Sequence, residues 1–120
     1  MKLYRIEHKV SGLGPFQHGK QECLNSAIFS NASAFPDIDH IPHVKKFLRK
    51  NKLKCKFAFS EISLLNSVIK SKRLLEIYGF AVFEYTVENV PIDINGQCVF
   101  IEYDSKKQIP FNLESLNEVV

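Results

Sequence analysis

The apolar pattern of this chain predicts one α+β domain: a mixed or antiparallel sheet of four to six strands carrying two or three helices. Three observations carry that expectation. Apolar and polar residues alternate through Leu3–His8, Leu53–Phe59 and Phe80–Val87; helix-period stretches lie between these segments; and Asn95-Gly96 is the pair that closes a two-residue hairpin. A chain of 120 residues supports one core and not two, because dividing it would leave each half with too little apolar surface to offset its ordering entropy. Residues 1–120 are therefore expected to form a single domain, and ten Phe with 45% hydrophobic residues supply its core without help from metal or disulfide.

In the first segment Leu3, Arg5 and Glu7 fall on one side and Tyr4, Ile6 and His8 on the other, which reads as a strand with one buried face. Gly12-Leu13-Gly14-Pro15 breaks the period, and the chain to Asp39 is polar and aperiodic, a long connection of the kind that often binds something. A short helix near Glu22 to Phe29 would shorten it. Asp39 and Pro42 then open a helix through His43–Lys50, with Val44, Phe47 and Leu48 facing inward. In the next strand Leu53, Cys55, Phe57 and Phe59 oppose Lys52, Lys54, Lys56 and Ala58, so its outer face is expected to be basic. Ser60 is placed to cap a helix with the stripe Ile62, Leu65, Val68, Ile69; a further turn or two follows to Tyr78, where Gly79 provides a left-handed stop. Phe80–Val87 is a strong strand, Pro91 assigns the first arm of the Asn95-Gly96 hairpin to an edge, and Asn112 would cap a short terminal helix.

Several function classes have no support. After Lys2 and Arg5 no apolar run follows that would make a secretion signal, and no stretch is long enough to span a bilayer, so a cytoplasmic protein without membrane contact is expected. Cys23, Cys55 and Cys98 are far apart, odd in number and without a CxxC spacing, so they read as reduced thiols, with Cys55 and Cys98 as small core residues. Cys23 is the one thiol placed where a nucleophile would sit. His40 and His43, beside Asp37 and Asp39, lack the remainder of a zinc shell and are read as solvated or capping residues, so no metal is expected. No phosphate loop, dinucleotide glycine fingerprint or nucleophile elbow is present.

Charge is distributed unevenly. Between Lys45 and Arg73 stand ten basic residues against the single acid Glu61, a segment of +9, while the remainder is −6, giving the net +3. Lys45, Lys46, Arg49, Lys50, Lys52, Lys54 and Lys56 are accordingly the expected partner-binding residues, fitted to an acidic protein or nucleic-acid surface. A lysine-rich face also keeps a small protein soluble, and Phe47, Phe57 and Phe59 fall on the buried period instead of between the cations, which weakens the nucleic-acid alternative.

Two resemblances add to this. Tyr4-Arg5-Ile6-Glu7-His8 followed by Gly12-Leu13-Gly14-Pro15-Phe16 resembles the opening of short phage and prophage proteins. The order of elements, with Arg5 on a first strand, Ser60 where a strand enters a helix and Gln97 opening a late strand, resembles small ADP-ribosyltransferase-like domains. That second resemblance implies NAD as cofactor, held by Arg5, Ser60 and Gln97. Where those domains keep a glutamate this chain has Gln97, which is neutral and cannot stabilise the cationic ribosyl centre formed as nicotinamide leaves. Each position also has a structural reading: an Arg5 ion pair with Glu7 or another acid, a Ser60 helix cap, and Gln97 as the residue after a turn. The first reading of function is thus a small intracellular binding protein of phage type, with no catalytic residues and no cofactor, docking on a macromolecule through its basic surface and long loop. A nicotinamide-dinucleotide enzyme or its inactive relative is the alternative, and a nucleic-acid-binding module the second alternative.

Overall fold

The computed structural model describes residues 1–14, 38, 40–51 and 54–110. Six strands form one sheet in the spatial order β4-β5-β2-β1-β3-β6: β1 (Lys2–His8), β2 (Lys56–Phe59), β3 (Phe80–Thr86), β4 (Ile92–Ile94), β5 (Gln97–Phe100) and β6 (Ser105–Ile109). Every pairing is antiparallel. Among the described residues three helices accompany them: α1 (Pro42–Lys50), α2 (Ile62–Val68) and α3 (Lys72–Ile77). The predicted fold class is what forms, with the sheet wholly antiparallel.

All three helices lie on one face of the sheet. Leu65, Ile69 and Leu75 from the α2–α3 region meet Ile6, Phe59, Phe80 and Val82, while Val44 of α1, with Phe47 and Leu48 partly buried around it, meets Ile92, Val99 and Phe57. These helical residues recur three and four apart, the spacing that puts them on one side of a helix. Pro42 occupies the first turn of α1, where its missing N–H costs nothing, but the N-cap is Ile41 and no side chain caps the helix. The Ser60 cap does not form either, since α2 starts from Glu61 without a side-chain bond. Ser71 supplies the working cap: its hydroxyl accepts from the Leu74 N–H at 3.2 Å and starts α3 as a separate helix.

Both faces of β1 are buried, in contrast to the single buried face predicted. Opposite the helices, Leu3, Ala58, Ala81, Phe83, Tyr85, Cys98 and Phe100 form a second core cluster, and among the described residues no helix lies on it. Curvature of the sheet brings that cluster together. The Tyr85 and Phe100 rings meet edge to face at 5.2 Å although β1 and β2 stand between their strands. In a flat sheet those strands would be about 14 Å apart, too far for two rings to touch. The short residues Ala58 and Ala81 line the inside of the bend. The Ile101–Asp104 connection runs from β5 to β6 at the other side of the sheet, and its Tyr103 ring sits 4.8 Å from Tyr85 and 6.5 Å from Phe100. Five residue steps span at most about 18 Å, so this link also requires the sheet to coil.

The strand Ser105–Ile109 had no assigned element in the sequence; it pairs along its length with β3 and is largely exposed. The expected terminal helix from Asn112 lies outside the described residues, as do Cys23 and most of the long connection after β1. That connection starts with a tight turn in which the Gly12 N–H reaches the His8 carbonyl at 2.9 Å and the His8 N–H reaches the Leu13 carbonyl at 2.8 Å. At the β4–β5 hairpin, Asn95 and Gly96 have φ of 52° and 88°, the pair of left-handed conformations that a type I′ turn needs. A side chain at Gly96 would run into Leu64 of α2, so this turn fixes the register of the hairpin and its seat on the helix layer together. Gly96→Ala is expected to lower unfolding free energy by roughly 1–3 kcal/mol. Urea unfolding of the two proteins side by side checks this, with Asn95→Gly as the substitution expected to be nearly neutral.

Candidate functional site

The concave face holds a charged cluster at its centre. Alternation along β1 aims Arg5 and Glu7 the same way, into that face, and leaves them 5% and 0% exposed. Arg5 Nε donates to Glu7 Oε2 at 3.0 Å, and its Nη1 donates to the Phe57 carbonyl of β2 at 3.1 Å. That second bond supports a junction where β1 and β2 register at the single pair Tyr4–Phe59. The Tyr85 hydroxyl donates to Glu7 Oε2 and the Lys106 ammonium to Glu7 Oε1, each at 2.6 Å. Lys106 also lies over the Phe83 ring at 5.1 Å and the Tyr85 ring at 5.7 Å, where the ring faces attract a cation. One carboxylate thus joins β1, β3 and β6.

Burial alone would push the Glu7 carboxyl upward, but the bonds from Lys106, Tyr85 and Arg5 outweigh it and hold the group below the ordinary carboxylate range. Burial, reinforced by the bond to Glu7, pushes the Tyr85 phenol far above its usual value. Near neutral pH, therefore, Glu7 stays ionised and Tyr85 stays protonated. Neither is tuned toward the proton exchange that a general acid or base performs. The chemistry of this cluster is that of a polar tie between strands.

A second charged feature lies on the helix side. In α1, Lys45, Lys46, Arg49 and Lys50 are all exposed, and at about 100° per residue they fall within an arc of roughly 140°. Val44, Phe47 and Leu48 fill the rest of the circle and face the core. The helix contains no acid, and every ion pair among the described residues is made by Lys2, Arg5, Lys72, Lys106 or Lys107. A shallow depression bounded by His40, Pro42, Lys45, Lys46 and Arg49 follows the outer side of α1.

The residues expected to bind a partner do not all share this surface. Lys45, Lys46, Arg49 and Lys50 form the α1 stripe, Lys54 is exposed between α1 and β2, and Lys52 lies outside the described residues. Lys56 stands apart. Its neighbours Phe57 and Phe59 turn toward the helices, so Lys56 and Ala58 turn into the concave face, where Ala58 is buried and Lys56 half-buried. The predicted outer, basic face of β2 is in fact an interior one, because the sheet bends over it.

Arg5, Ser60 and Gln97 are likewise divided. Ser60 and Gln97 meet at the β4–β5 turn, where the Ser60 N–H bonds the Gly96 carbonyl at 2.9 Å and Gln97 pairs across from Phe59 on the helix face. Arg5 points into the opposite face. A nicotinamide dinucleotide held by all three would have to reach through the sheet. The ion pair with Glu7, the structural reading of Arg5, is present. Among the described residues no group of His, Cys, Asp and Glu is arranged to hold a metal ion. Cys98 is fully buried, and burial, with Asp93 adding to it, pushes its thiol up to about 12, as suits a core thiol. Among the described residues no helix is long and apolar enough to cross a membrane.

A family model described as Bacteriophage T4 Y00F protein matches residues 1–114. The chain belongs to that family. The match agrees with the resemblance of the opening residues to phage proteins; it does not bear on ADP-ribosyltransferases. No curated protein and no solved structure gave a match.

Glu7, Tyr85 and Lys106 were not singled out as a site in the sequence. The available signal was the pair Arg5 and Glu7 two apart on one strand side, which put opposite charges on one face without showing that the face closes. Glu7→Gln leaves Arg5 and Lys106 without their anion and is expected to cost about 3–5 kcal/mol, whereas Tyr85→Phe is expected to cost about 1.5–3 kcal/mol. Because the folded pKa of Glu7 is depressed, its contribution is complete above the unfolded carboxyl value and is lost as pH falls through the folded one. Melting temperature followed down the acid limb should fall less steeply in Glu7→Gln than in the wild type.

Proposed function

We propose that this phage-family protein is a non-enzymatic binding protein that docks on an acidic protein surface through the outer side of α1. The observation that carries the reading is the stripe of Lys45, Lys46, Arg49 and Lys50, four exposed cations on one side of a helix with no ion-pair partner among the described residues. Aligned like charges of this kind raise the local potential and speed encounter with a surface of opposite sign. Their mutual repulsion is relieved when such a surface covers them. His40 and Pro42 border the same depression and give the partner a shaped contact beside the charged one.

Protein is favoured over nucleic acid because the exposed side of α1 carries no Phe, Tyr or Trp for a base to stack on, and Phe47, the Phe of the helix, is turned inward. Nothing in the Glu7 cluster adds a catalytic step to this reading. It contributes the rigid sheet on which α1 is carried.

Replacing Lys45, Lys46 and Arg49 together by Glu is expected to abolish capture of the partner from host lysate, while the melting temperature stays close to that of the wild type. Capture by the wild type should weaken as salt rises from low to physiological ionic strength. Equal capture by both proteins, or capture indifferent to salt, would sink the proposal. A gel-shift series with duplex and single-stranded DNA tests the nucleic-acid alternative.

A further inference from the structure

Lys56 belongs to the basic segment but lies apart from the α1 stripe, on the other face of the sheet. It is half-buried on the concave face beside Arg5, Glu7 and Lys106, and among the described residues its ammonium forms no hydrogen bond or ion pair. The lone anion of the group, Glu7, is already shared by Arg5, Tyr85 and Lys106. Among the described residues, the ammonium groups of Lys56 and Lys106 thus stand beside a single carboxylate that already serves Arg5. An ammonium withdrawn from water without a counterion is unfavourable, and like charges nearby make it more so. Burial first and then the field of Arg5 lower the pKa of Lys56; Glu7 opposes them, and Lys106 adds a still smaller lowering.

The remaining donors are suited to an anion. The Lys106 ammonium spends one N–H on Glu7, and its side chain is 36% exposed, so it faces solvent as well as the cluster. Lys56 has all three of its N–H groups to offer, among the described residues. We infer that Lys56 and Lys106, backed by the buried Arg5, form a binding site for a small tetrahedral dianion of the phosphate class on the concave face. A dianion has a charge for each of the two ammonium groups, and tetrahedral oxygens accept from groups on different strands at once. A monoanion answers only one of them and binds more weakly. The site is separate from α1 and is independent of the docking reading.

Thermal melting with added inorganic phosphate tests the inference, with sodium chloride and sodium acetate at matched ionic strength as controls. Phosphate and sulfate should raise the wild-type melting temperature where chloride and acetate do not, and the Lys56 ammonium pKa, read by NMR, should move upward as phosphate is added. Lys56→Met keeps the apolar stem and removes the charge, so it should fold, melt no lower than the wild type without phosphate, and bind phosphate about tenfold or more weakly. Lys56→Arg should restore the response. The inference is overturned if wild type shows no dianion-specific shift, if Lys56→Met responds as the wild type does, or if Lys45→Glu/Lys46→Glu abolishes the response, which would move the anion to α1.

Discussion

A carboxylate that cannot reach water organises the concave half of this protein. Glu7 lies on the central strand with its charge directed into the bend of the sheet, and three donors from three strands converge on it. An ion so placed is tolerable only when its partners are fixed, since each lost bond leaves charge uncompensated in a medium that screens poorly. The requirement acts in both directions. It holds Arg5 against β2 at the junction with the fewest paired residues, and it draws Lys106 inward from an edge strand whose Ser105, Lys107 and Gln108 are exposed. The coil of the sheet and the cluster sustain each other: curvature shields the ions, and the ions tie together strands that curvature brings near.

The sheet also sorts the positive charge of the chain into two kinds. On the helix side, the cations of α1 are exposed and aligned, and their effect extends outward. On the concave side, Arg5, Lys56 and Lys106 are close to one another and to a shared anion, and their effect is local. Residues that stand eleven apart along the chain, Lys45 and Lys56, belong to different halves of the molecule.

Much of the architecture was legible in periodicity. The alternation at Leu3–His8, Phe57–Phe59 and Phe80–Val87, the inward stripe of α1, the Gly79 stop and the Asn95-Gly96 turn all act locally, so their signals survive in the linear order of residues. What escaped depends on partners distant in sequence. Alternation states that Lys56 and Ala58 share a side but not that Cys98 and Phe100 come to lie beside them, and so an interior face read as an exterior one. Ser105–Ile109 carries four polar residues in five and gained strand character only from β3 across from it. Of the positions assigned to a site, the α1 cations lie on one side of their helix, whereas Arg5 is divided from Ser60 and Gln97 by the sheet, a separation that no spacing reveals.

The path from β5 to β6 carries a consequence for assembly. Four residues, Ile101–Asp104, lead the chain over the inner side of the sheet from one flank to the other, with Tyr103 lodged against Tyr85 and Phe100 on the way. The last strand pairs with β3 alone, but the bond of Lys106 to Glu7 and the seat of Tyr103 against Phe100 require β5, β2, β1 and β3 to be aligned and bent. That bond joins residues 99 positions apart, and the chain entropy it consumes is returned only when the neighbours are already in position. A molecule built this way completes itself by buckling its own belt, with Lys106 as the prong that catches on Glu7.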